Sequence, residues 1–81
     1  MNEQAIIFEI SKGVEYNEKA EAQAVYDYSE FLRFVLESEI EETDKKYIES
    51  VITEIISDEL NHQQKLQALY TSLTGITANK D

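Results

Sequence analysis

The sequence predicts an all-α protein built as a two-helix antiparallel hairpin, and three observations carry that expectation. The 81 residues contain no proline and only two glycines, Gly13 and Gly75, so little interrupts helix formation over long stretches. Apolar residues recur at three- and four-residue spacing through two long segments, the signature of amphipathic helices. Between them lies one short polar stretch, Glu41-Glu42-Thr43-Asp44, the single candidate turn.

The first helix is expected over about residues 3–40. Its apolar phase reads Ile7, Ile10, Val14, Val25, Tyr28, Leu32 and Val35, with Asn17 and Glu21 as polar members. Gly13 marks a kink or break near the start, since Gly costs about 1 kcal/mol relative to Ala inside a helix. The second helix is expected over about residues 44–73. Thr43 or Asp44 is its candidate N-cap, and Gly75 stands where a left-handed residue commonly ends a helix. Residues 76–81 form an expected flexible tail. The whole chain reads as one domain.

Composition narrows the function classes. Seventeen acidic against seven basic residues give a net charge of -10, which speaks against nucleic acid and anionic membranes as partners. An acidic surface serves solubility and also attracts cations. With no cysteine, these residues hold no disulfide, zinc–thiolate knot or rubredoxin-type iron centre. The apolar run Ala5–Phe8 is far too short to span a membrane, so the expected location is cytoplasmic.

The apolar stripes are wider than one hairpin can cover. Phe8, Phe31, Phe34, Val51, Ile56 and Tyr70 extend them on both helices. Chains this small commonly need a staple, a metal or oligomerisation for stability. The simplest solution is a homodimer of hairpins, or a multiple of dimers, forming four-helix bundles.

Three residues interrupt these stripes with chemistry. The face of the second helix reads Ile48, Ile52, Ile55, Glu59, His62, Leu66, Leu69 and Leu73. Glu59 and His62 form an E-x-x-H pair about one turn apart, and His62 is the only histidine. Counting outward from the turn, Glu21 falls at nearly the same height, within roughly 2–6 Å at 1.5 Å per residue. An unpartnered buried charge costs several kcal/mol. A metal ion suits two carboxylates and an imidazole, and a two-fold mate doubles the set to four carboxylates and two imidazoles. Four carboxylates balance two divalent ions, and imidazole favours iron or manganese over calcium. Glu18, one turn from Glu21, is the alternative acid on the first helix. Without metal, Glu59 and His62 would be a polar pair fixing register in a helical dimer.

At these residues the chain resembles the ferritin-like superfamily, in its rubrerythrin-like branch. Glu21-Ala-Gln-Ala-Val-Tyr-Asp-Tyr28 matches an E-x-x-A-x-x-x-Y signature, and Asp58-Glu59-Leu-Asn-His62 carries the E-x-x-H. The resemblance covers half of a usual ferritin-like domain, as in encapsulated ferritin-like proteins. It implies a ferritin-like four-helix bundle made by two subunits, holding two irons per dimer, with manganese or zinc as other occupants. Glu21, Glu59 and His62 would be the metal ligands. Tyr28 would be the catalytic tyrosine near the metals, hydrogen-bonded to a ligand carboxylate, or else a packed aromatic. Asp58 would orient the imidazole of His62, its own or the mate's, or else be solvated.

The expected function is a di-iron carboxylate ferroxidase, oxidising Fe(II) with O2 or peroxide at an inter-subunit site. The alternatives are a rubrerythrin-like peroxide reductase using an external electron donor, and a metal-free helical assembly module. Ser72-Leu-Thr-Gly-Ile-Thr77 has some likeness to short peptides that dock cargo in encapsulin shells, which would place the protein inside a protein compartment.

Overall fold

The computed structural model describes residues 2–78. Two long helices account for nearly all of them: α1 spans Glu3–Glu37 and α2 spans Glu42–Ala78. They pack antiparallel into a rod of 61 × 14 × 14 Å.

Local signals explain where each helix begins and ends. Asn2 caps α1, its side-chain oxygen accepting from the Ala5 N–H at 2.8 Å, which satisfies one of the orphan donors of the first turn. α1 ends at Glu37, earlier than the expected residue 40. Ser38 turns extended there, and both its backbone N–H and its hydroxyl donate to the Val35 carbonyl. The helix dipole adds to this. Glu39, Glu41 and Glu42 would be unfavourable in the last turn of α1, whereas Glu42 and Asp44 are favourable in the first turn of α2. The helix therefore opens at Glu42 rather than at the expected residue 44, with the Lys45 N–H bonded to the Glu41 carbonyl. Lys45 also reaches back across the turn, donating from Nζ to the Leu36 carbonyl at 3.1 Å. It places a cation at the negative end of α1.

Neither glycine acts as punctuation. α1 runs unbroken through Gly13, where an added Cβ would meet nothing within 4 Å. α2 continues through Gly75 to Ala78, and neither glycine has a positive φ. Continuing the ladder costs only about 1 kcal/mol at a glycine, whereas a left-handed turn would forfeit the hydrogen bonds beyond it. The expected tail is thus helical over 76–78, and its remainder, 79–81, lies outside the described residues.

The contact seam differs in detail from the expected phase. On α1 it passes through Ile7, Ser11, Val14, Glu18, Glu21, Val25, Leu32 and Val35, buried or half-buried at alternating four- and three-residue steps as far as Val25, then a seven-residue step past the exposed Tyr28 to Leu32. Ser11 is 7% exposed where Ile10 was expected, and Ile10 is 48% exposed. Burying Ser11 is inexpensive because its hydroxyl donates to the Ile7 carbonyl at 2.9 Å. On α2 the seam runs Ile48, Ile52, Ile55, Ile56, Glu59, Gln63, Leu66, Tyr70 and Leu73. Gln63 and Tyr70 replace the expected His62 and Leu69. The two readings share Ile48, Ile52, Ile55, Glu59, Leu66 and Leu73 and differ by one residue at these two positions, each a rotation of about 100° about the helix axis.

The hairpin has little core of its own. Among the described residues the buried hydrophobics are Ile7, Val14, Val35 and Ile52, and no side chain is completely buried. The radius of gyration is 18.2 Å, against about 12 Å for a compact domain of this length. No helix among the described residues is long and apolar enough to cross a membrane.

Candidate metal centre

Glu21 and Glu59 are half-buried on the facing seams of α1 and α2, and His62 stands one turn beyond Glu59 on the exposed flank. One potential ligand atom from each lies within 4.8 Å of the other two. The distance from His62 Nδ1 to Glu21 Oε2 is 3.8 Å, with the imidazole side chain 54% and the carboxylate side chain 25% exposed. That is too long for a hydrogen bond. Glu21 Oε2 is cut off from solvent and has no hydrogen-bond partner. A buried carboxylate oxygen without a donor is costly, and it is the sharpest polar anomaly among the described residues.

The donor set fits a divalent cation. Two ligands about 2.0–2.2 Å from one ion are about 3–4 Å apart; the Glu21–His62 separation of 3.8 Å falls in that range, and all three atoms lie within 4.8 Å of one another. The two carboxylates supply charge and the imidazole a borderline nitrogen, a mixture suited to iron, manganese or zinc. An ion held by these three groups would take its remaining ligands from elsewhere.

The other expected residues are placed differently. Glu18 does not join the cluster; its Oε1 accepts from Gln67 Nε2 at 2.9 Å, so Glu21 is the acid of α1 that meets Glu59 and His62. Tyr28 is exposed and makes no hydrogen bond to either ligand carboxylate among the described residues. Seven residues from Glu21, it lies about 10 Å along the axis. Asp58 is exposed, with no hydrogen bond or ion pair to His62 among the described residues.

An open groove of about 350 Å³ adjoins the cluster, lined by Asn17, Glu21, His62, Lys65 and Leu66. Asn17 is held by its own helix, donating from Nδ2 to the Gly13 carbonyl at 2.7 Å. The groove fixes which flanks of the two helices adjoin. On α1, Ile10, Ala24 and Phe31 share the row of Asn17 at seven-residue steps; on α2, Ile55 and Leu69 share the row of His62 in the same way. Ile10, Phe31 and Leu69 are 45–52% exposed. The groove thus sits midway along an apolar flank.

Fold and site together define an all-α helical hairpin with a Glu–Glu–His cluster at mid-height. No family model matches the chain, and neither curated proteins nor solved structures give a significant match.

Proposed function

We propose that two copies of this hairpin pair through the flank carrying His62, forming a four-helix bundle that binds two divalent metal ions, and that the assembly is a di-iron ferroxidase. The observation that carries the reading is the orphaned Glu21 Oε2 beside Glu59 and His62. Each chain supplies two carboxylates and one imidazole, so the pair supplies four and two. The charge of two divalent ions is then balanced, and the buried oxygens gain partners. The exposed apolar side chains at both ends of the groove support the pairing, because a hairpin with so small a core has little stability to spare.

The metals supply one-electron chemistry when bound: two Fe(II) give two electrons to O2 with two protons, releasing peroxide, or to peroxide with two protons, releasing two waters. The protein's own contribution is to hold the ligands. Glu21 is fixed on the seam of α1, Glu59 on that of α2, and Leu66 forms an apolar wall of the groove. Tyr28 would serve in catalysis only if pairing brings it to a mate's carboxylate. Asp58 would orient an imidazole only on the same condition.

Native mass spectrometry after anaerobic addition of Fe(II) tests the reading. The expected species is a dimer, or a multiple of dimers, carrying two irons per pair of chains, followed by Fe(III) formation with O2 or peroxide. A folded oligomer that takes up no iron, manganese or zinc sinks it. That result would favour a metal-free assembly module, the second reading, which the same exposed apolar flank supports. If peroxide reacts much faster than O2 in single turnover, and an external donor sustains turnover, the activity is peroxide reduction instead.

A further inference from the structure

Lys65 lines the groove together with Glu21 and His62. The other described basic residues all have acids at helical spacing on their own helix. Lys12 pairs with Glu9, Lys19 with Glu15, Arg33 with Glu30 and Lys45 with Glu42. Lys46 has Glu42 and Glu49 at i−4 and i+3. Lys65 alone among the described basic residues has none: positions i±3 and i±4 are Asn61, His62, Ala68 and Leu69. It is exposed, and it forms no ion pair among the described residues. Its flexible ammonium is therefore uncommitted, in a groove also lined by Glu21, whose carboxylate has one oxygen, Oε2, closed off from solvent and without a donor.

We propose that Lys65 is the resident counter-cation of Glu21 in the metal-free protein, and that a divalent ion entering the Glu21–Glu59–His62 cluster must displace it. A lysine has three rotatable donors on a four-carbon stem; in the proposed pair the stem turns Nζ toward the Glu21 carboxylate, which lines the same groove. The pair offsets the cost of the buried carboxylate when no metal is present. Once a metal binds, the ammonium faces a dication and is repelled into solvent. Lys65 thus lowers metal affinity and acts as a positioning residue that sets the threshold at which the site fills. The second half of this inference rests on the metal reading; the first half does not.

The test uses the full chain in two conditions. In chelator at low salt, melting temperatures are measured for wild type, Lys65→Gln, Glu21→Gln and the double variant. The expected result is a drop of about 2–5 °C for Lys65→Gln, less than half of it when Glu21 is already Gln, and recovery in Lys65→Arg. An equal drop in both backgrounds, or none, overturns the pairing. In Zn(II) titrations by calorimetry, Lys65→Gln should bind about threefold more tightly or better, with the difference shrinking in high salt. Unchanged or weaker binding overturns the displacement. Coupling in chelator, combined with a wild type that binds no Zn(II), upholds the ion pair and counts against the metal reading alone.

Discussion

Glu21 Oε2 and His62 Nδ1 stand 3.8 Å apart on different helices, too far to share a proton and close enough to share an ion. The chemistry proposed for the protein rests on that spacing.

Glu59→Gln should separate stability from binding. Glu59 and Glu21 offer carboxylate oxygens within 4.8 Å of each other, with no hydrogen bond between them, and like charges at that distance repel. In chelator the variant should be more stable than wild type by about 0.5–1 kcal/mol. Addition of Zn(II) at a hundredfold over its Kd should stabilise the wild type by about 2.7 kcal/mol and leave the variant nearly unchanged. Denaturant titrations in both conditions check this; a variant that still responds fully to metal would remove Glu59 from the site.

Phe31→Asp should weaken self-association while sparing the helices. Phe31 is 52% exposed on the same row as Asn17, and a charge there would be desolvated by a paired copy. Sedimentation analysis should show at least about a tenfold rise in the dimer dissociation constant, equivalent to about 1.4 kcal/mol, at unchanged helicity. Tyr16→Lys, at a 74% exposed position on another face, should leave association as it was. Equal effects from the two would place the interface elsewhere.

Gly13→Ala should stabilise the protein by about 0.5–1 kcal/mol. The position is helical, has no positive φ, and offers open space to a Cβ. The gain is read as a higher urea midpoint at constant slope. A loss would mean that a neighbour occupies that space in the assembled protein.

Lys45→Met should cost about 1 kcal/mol. Its Nζ holds the Leu36 carbonyl across the turn at 3.1 Å, and methionine keeps the stem and helix propensity while removing the donor. Hydrogen exchange at the end of α1 should quicken in the variant more than exchange mid-helix.

The Glu21–Glu59–His62 cluster was legible in the sequence because helix rise and period are nearly constants. Counting from one turn places residues at a height and on a face to within a few ångströms. The same constancy made the all-α hairpin evident from two apolar stripes without proline. Where the sequence misled, two states were close in energy. Gly13 and Gly75 cost too little to stop a helix that neighbouring residues favour. Ile10 and Ser11 are adjacent candidates for one seam position, and a hydroxyl satisfied by its own helix let the polar residue go inside. That Lys65 lacks an acidic neighbour on its own helix is visible in the sequence; that it shares a groove with Glu21 is not. The sequence alone determined the helices, their antiparallel heights and the residues that meet at mid-height, because these follow from local backbone geometry. The tertiary structure decided that Glu21 rather than Glu18 meets Glu59, that His62 stands on the open flank, and that one carboxylate oxygen is left without a donor. Those outcomes depend on the rotation of each helix about its axis, which is set by packing along the whole seam and not by any local segment.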